Sequence, residues 1–207
     1  MINLITKSRL ANCIENVKNS GDSCRPILDY SEASILVIFI NNYIQKDSSI
    51  LMTKRKHNLR KHAGQIAFPG GRKESKDKNL LETVVRETEE EVNLSKNNYD
   101  ILGSFPKFYT GTGYAVTPYI ALMKASSDWE NLIKPNSEEV EKIFFPQSKQ
   151  LLSPEFHLRE KPPINSSMSM TWRINYDNEN IWGLTARVLV TISAGLSLRE
   201  YPPCDDI

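Results

Sequence analysis

The sequence predicts an α/β sandwich. Ile35-Leu36-Val37-Ile38-Phe39-Ile40 is an unbroken run of branched and aromatic residues, the composition of a strand buried on both faces. From about Asp77 the pattern changes to mixed three- and four-residue spacing, with Leu80, Leu81, Val84, Val85, Thr88 and Val92 marking the buried side of a helix. Two more strand-like segments follow, Ile101 to Phe108 and Ala115 to Met123. Strands interrupted by helices pack as layers around a shared core.

Each element carries its own local signal. Thr6 or Ser8 can cap a first helix whose Leu10, Cys13, Ile14 and Val17 form one apolar stripe ending before Gly21. Gly21 to Tyr30 reads as a linker. After the buried strand, Asn41, Asn42 and the turn Lys46-Asp47-Ser48-Ser49 lead into a second strand, Ile50 to Thr53. A basic segment follows, with Lys54, Arg55, Lys56, Arg60 and Lys61 and no acid among them; Lys54 and Lys61 are expected in a solvated loop. Phe68-Pro69-Gly70-Gly71 ends a short apolar strand with two residues free to take positive φ, so backbone groups can approach whatever the next helix holds.

Past that helix, Tyr109 to Tyr114 is a glycine-rich turn whose two tyrosines either stack on a base or fill the core at a strand end. Gln147 to Leu152 reads as a short helix, and Ser153 to Ser167, with three prolines, as a loop or lid. Met168 to Tyr176 and Asn180 to Trp182 make a hairpin around Asp177 and Asn178. A last helix from Thr185 has Leu184, Val188, Ile192 and Leu196 on one side and further apolar residues on the other, which places it between layers.

Composition excludes several classes. A chain of 207 residues fits one domain with decorations. A net charge of +1, from 26 basic and 25 acidic side chains, lacks the basic excess of a broad nucleic-acid surface. Cys13, Cys24 and Cys204 are odd in number and show no CxxC spacing, so a disulfide framework or zinc site is not expected and a reducing cytoplasm is. No signal-peptide pattern follows Lys7 and Arg9, and no apolar run approaches the roughly 20 residues of a membrane span. A soluble protein with no membrane partner is expected.

The chemistry concentrates between Gly64 and Leu94. Glu87, Glu90 and Glu91 are three and four apart on the helix, so Glu87 has both others as neighbours at about 5–6 Å between Cβ atoms. They also sit at the helix end where the macrodipole disfavours negative charge. A solvated acidic face is one explanation. The other is a divalent cation: Mg²⁺ or Mn²⁺ takes hard oxygen ligands of this kind, and a backbone carbonyl from the glycine turn can complete the shell.

Gly71, Asp77, Arg86, Glu87, Glu90, Glu91 and Leu94 resemble the Nudix box, the signature of Nudix hydrolases. The stretch before it, LMTKRKHNLRKHAGQIAFPGG, resembles the added signature of the coenzyme A diphosphatase subgroup, with Thr53, Arg55, Arg60, Gly64, Phe68, Pro69, Gly70 and Gly71 in register. TGYAVTPYI from Thr112 and NSEEV from Asn136 are similar to the same subgroup, so the resemblance runs from about Ser34 onwards. Asp77 where a glutamate is usual, and one extra residue before Arg86, also look like this subgroup. Asn93 replaces the usual glycine after the acids, Met52 a leucine and Lys56 a small residue.

The resemblance implies a Nudix fold, an α-β-α sandwich with a mixed sheet. It places the domain at 31–200, after an N-terminal helix and linker at 1–30 and before a tail at 201–207. It implies catalytic roles for Glu87, Glu90, Glu91 and Arg86. Glu87 and Glu91 would be the principal ligands of Mg²⁺ or Mn²⁺, with the Gly71 carbonyl beside them. Glu90 would be a ligand or a base on metal-bound water, and Arg86 would orient a glutamate. Asp77, near the helix start, is expected to cap it. Arg55 and Arg60 stand at motif positions and are expected to hold substrate phosphates, since a guanidinium bonds phosphate oxygens two at a time; His62 receives no role. Glu139, rather than Glu138, fits the position of a further acid.

The implied reaction cleaves the diphosphate bond of coenzyme A or a derivative to 3',5'-ADP and 4'-phosphopantetheine. The alternatives are another nucleoside diphosphate derivative, such as ADP-ribose or a dinucleotide, and a catalytically weak nucleotide-binding module. The partner is a small nucleotide in each case, and nothing in the sequence sets the oligomeric state.

Overall fold

A computed structural model describes residues 4–20, 29–58, 63–125, 129–161, 170–177 and 179–197. Cys24, Arg60, Lys61, His62, Asn178 and Cys204 lie outside them, as do residues 21–28 of the expected linker, 162–169 of the expected loop and hairpin, and the tail from 201.

Two long strands form the centre. β1 (Ser31–Asn42) runs parallel to β8 (Tyr114–Met123), in register from Ser31↔Tyr114 to Phe39↔Leu122. On the other edge of β1 lie β2 (Asp47–Ile50) and β5 (Gly70–Arg72), both antiparallel. β6 (Tyr99–Ser104) and the short β7 (Phe108–Tyr109) pair antiparallel with β8, which completes a mixed sheet. β3 (Met52–Arg55) is flanked by β4 (Ile66–Ala67) and β9 (Val140–Phe144). A third sheet joins β10 (His157–Glu160), β11 (Thr171–Tyr176) and β12 (Glu179–Trp182).

Alternation along β1 sorts the layers. Leu36, Ile38 and Ile40 face helix α2 (Leu80–Val92), where Val84 and Val92 are fully buried with Leu94 and Tyr99. Val37 and Phe39 face the opposite way, onto α1 (Lys7–Asn19) and α5 (Gly183–Ser197). Each fully buried Leu, Ile or Phe of this kind contributes about 1.5–3 kcal/mol of burial free energy. The α-β-α sandwich is therefore a consequence of one strand carrying apolar residues on both faces. The two-sided apolar pattern of α5 buries it from Thr185 to Gly195, and the stripe of α1 packs against it. Two short helices, α3 (Trp129–Leu132) and α4 (Ser148–Leu151), sit in the connections. No helix among the described residues is long and apolar enough to cross a membrane.

Several boundaries differ from the sequence expectation. Thr6, not Ser8, caps α1, its Oγ1 accepting from the Arg9 N–H at 3.2 Å. The expected strand Ile50 to Thr53 is two strands that part at the fully buried Leu51, where the chain passes from one sheet to the next. Ile101 to Phe108 is broken after Ser104, beyond a bulge at Gly103 with φ 155°. Gly70 and Gly71 belong to strand β5 rather than to a turn, and of the two only Gly70 takes positive φ. The expected loop after Ser153 contains β10, whose alternation is too short to read. The hairpin at Asp177 is as expected, with that residue left-handed at φ 49°.

Candidate active site

Helix α2 begins at Leu80, three residues later than the apolar pattern suggests, because Asn79 is its cap: the Asn79 Oδ1 accepts from the Glu82 N–H at 2.9 Å. Its start is tied to the sheet by the Ser34 hydroxyl, which donates to the Leu80 carbonyl at 2.9 Å. The buried face holds Thr83, Val84, Thr88, Glu91 and Val92, whereas Leu81, expected inside, is exposed. Glu91 thus points to the protein side of the helix. Val84, Thr88 and Glu91 are spaced by four and three, so the core spacing itself contains an acid.

The strand in front of the helix meets these acids. One Glu91 oxygen accepts the Gly70 N–H at 3.1 Å, and the other accepts Nη1 of Arg55 at 3.1 Å. At Gly71 a Cβ would lie 2.5 Å from the Glu87 carboxyl carbon and Oε1, so any side chain there displaces that carboxylate. Gly70 is restricted for a different reason: its φ is 150° and a Cβ would run into the Ser34 carbonyl.

Arg86 organises the remaining acids. Its Nε and Nη2 each donate to Asp77 at 3.0 Å, while Nη1 lies 2.9 Å from Glu87 Oε1 and 2.8 Å from Glu90 Oε2. Asp77 is buried and also accepts from the Glu74 N–H at 2.9 Å and the Thr83 hydroxyl at 3.0 Å. The expectation that Asp77 caps the helix is corrected: Asn79 does that, and Asp77 fixes Arg86. Asp77 and Arg86 are nine positions apart across a loop-to-helix junction, where no helical spacing announces a pair. Hydrogen bonding from Arg86 holds the Asp77 carboxyl well below the usual carboxylate range against the opposing effect of burial. The same bonds, with Glu87 and Glu90, push the guanidinium further up.

Glu139 arrives from the far side. Asn93 ends α2 in the left-handed conformation, φ 54°, and the next turn is held against the helix end: the Lys134 N–H donates to the Val92 carbonyl at 3.0 Å and the Asn136 N–H to the Glu91 carbonyl at 2.9 Å. From there Glu139 Oε2 comes within 3.5 Å of Arg55 Nη2. Glu138 has its own N–H on the Asn136 side chain and is exposed. Lys54, expected in a solvated loop, is instead in β3 with its Nζ at 3.2 and 3.0 Å from the two Glu179 oxygens. Tyr109 stands edge-on to Tyr30, ring centroids 5.1 Å apart.

Burial pushes the Glu91 carboxyl up to about 7; the Gly70 N–H and Arg55 pull it down, and Glu87 and Glu139 add to the rise. Burial also raises Glu87, with Arg86 opposing and Glu90 and Glu139 reinforcing. Desolvated, mutually repelling carboxylates are the donor set a small divalent cation takes. As the side chains stand, no three His, Cys, Asp or Glu among the described residues converge on one ion position; Arg55 and Arg86 hold the carboxylates instead. The donor chemistry fits a divalent ion, and the two guanidiniums are its competitors.

A family model described as the NUDIX domain matches residues 32–165. The chain belongs to the Nudix family. Two relatives are named only as uncharacterized Nudix hydrolase NudL. That of Pectobacterium atrosepticum is 32% identical over 184 residues, 86% of this chain and 88% of the relative. That of Yersinia pestis is 33% identical over 169 residues, 80% of each. A solved NUDIX hydrolase from Alicyclobacillus acidocaldarius has a TM-score of 0.51, covering 86% of this chain and 100% of that one at 14% identity, a likeness of fold. The protein is thus a Nudix hydrolase of the α-β-α fold, and Nudix hydrolases generally use divalent metal ions.

Proposed function

We propose that this Nudix domain hydrolyses the diphosphate bond of coenzyme A or a related nucleoside diphosphate derivative, giving 3',5'-ADP and 4'-phosphopantetheine from coenzyme A, with Mg²⁺ or Mn²⁺ as cofactor. The observation that carries this reading is the contact between Arg55 and Glu91, 3.1 Å apart, because it joins the signature before the Nudix box to the box itself at one point. Glu87 and Glu91, with the Gly71 carbonyl, are the residues that would hold the ion. When bound, it supplies charge neutralisation on the phosphates and acidifies a water.

The chain's own residues do the rest. Arg86, fixed by Asp77, sets the carboxylates of Glu87 and Glu90 in place. Glu90, a half-exposed carboxylate beside them, is either a ligand or the proton acceptor, and Glu139 is the second candidate acceptor. Arg55 and Arg60 provide the planar donors for phosphate oxygens. A catalytic unit at 31–200 and a cytoplasmic setting belong to the same reading.

The test incubates the full chain with coenzyme A, ADP-ribose and a dinucleotide, with and without Mn²⁺, and identifies products by mass. Metal-dependent formation of 4'-phosphopantetheine is expected, and Glu87→Gln should abolish it with an unchanged melting curve. Preference for ADP-ribose or the dinucleotide would overturn the substrate. Nucleotide binding without turnover would overturn the enzyme reading in favour of a binding module.

A further inference from the structure

Arg55 faces two acids at once. Its Nη1 lies 3.1 Å from Glu91 Oε1 and its Nη2 lies 3.5 Å from Glu139 Oε2. The backbone beneath it is fixed. The Arg55 N–H donates to the Gln65 carbonyl at 3.0 Å, the Gly64 N–H to the Arg55 carbonyl at 3.1 Å, and the Lys56 N–H to the Glu139 carbonyl at 3.0 Å. A bulge in the pairing of β3 with β9 falls between Lys54 and Arg55. The Arg55 side chain is one quarter exposed and Glu91 hardly at all. Any rearrangement at this contact therefore belongs to the long arginine side chain, which has solvent on one side, and not to the buried glutamate or the strand.

The two roles read for this pair conflict. A cation on Glu91 Oε1 would share one desolvated oxygen with a guanidinium, and like charges repel most where solvent is excluded. A phosphate group offers the guanidinium an equivalent set of oxygens. We propose that Arg55 is an exchangeable counter-ion: it bonds Glu91 and Glu139 until a divalent cation takes Glu91, and it then turns to the substrate's phosphate. Metal and diphosphate binding are thereby coupled through one side chain, and by linkage each strengthens the other. This rests on Glu91 being a metal ligand.

The test uses Mn²⁺ alone, without nucleotide, titrated into the full chain with free Mn²⁺ followed by electron paramagnetic resonance. Arg55→Gln removes the competing charge and is expected to bind Mn²⁺ about tenfold more tightly than wild type, within the usual range of such couplings. Arg55→Met, which keeps the packing of the stem, should do the same, and Arg55→Lys should stay near wild type. A residue with a purely structural role would weaken the metal site when replaced, so unchanged or weaker Mn²⁺ binding in both neutral variants overturns the proposal. Wild-type protein that binds no Mn²⁺ overturns the metal reading of Glu91 itself, and the exchange with it.

Discussion

Replacing Asp77 by asparagine tests the clamp on which the acid cluster depends. The two Asp77 oxygens accept four hydrogen bonds, from Arg86 Nε, Arg86 Nη2, the Glu74 N–H and the Thr83 hydroxyl. Asparagine keeps the shape but has one acceptor oxygen, and its amide nitrogen faces donors. Breaking a buried ion pair by removing one partner costs about 3–5 kcal/mol. Arg86 keeps Glu87 and Glu90 and is 16% exposed, so the expected loss falls below that range, at about 2–3 kcal/mol. For a chain of this size that lowers the melting temperature by about 4–12 °C, measurable by scanning calorimetry at pH 7.

The pH dependence gives the sign. Because the folded Asp77 carboxyl is held below its unfolded value of about 3.9, its contribution is fully present above that pH and is lost as pH falls through the folded value. The gap between wild type and variant should stay level from pH 8 to about 5 and close in stronger acid. A melting point within about 1 °C of wild type at pH 7, or a gap that widens on acidification, would refute the account of Asp77.

Two further outcomes follow from the geometry. Gly71→Ala puts a Cβ 2.5 Å from the Glu87 carboxylate, the far end of a side chain that can yield, so the fold should persist while the carboxylate moves by about 1 Å; a rate loss of about 100-fold at unchanged melting temperature is expected in a coenzyme A cleavage assay. Cys13 is buried and its thiol is pushed up to about 12 by that burial, so it should escape alkylation at pH 8 in the native protein and react once urea is added, as peptide mass analysis would show.

What could be read from the sequence follows from range. The α2 acids, the β1 run, the α1 stripe and the α5 burial are local signals, each within one element, and each of these elements is present. Glu91 and Arg55 each stand out by type and position, yet their contact links residues 36 apart in the chain and no spacing rule predicts it. Asp77 precedes a helix and so reads as its cap, but Asn79 lies nearer and accepts the Glu82 N–H, while the aspartate pairs with Arg86. Leu81 looked internal because a stripe cannot say how wide the covering sheet is. Arg60 shares its motif with Arg55 and lies outside the described residues.

The parallel pairing of β1 with β8 has a kinetic consequence. Between those partners lie the basic segment, the glycines and the whole acidic helix, so the middle of the sheet closes only after that long intervening stretch has been emptied from the ribosome. High contact order of this kind slows folding, to the millisecond-to-second range in small domains. A nascent chain that ends just past α2 would already display its crowded glutamates without the neighbour strand that completes the scaffold, and the contacts that hold them would be among the last features to mature.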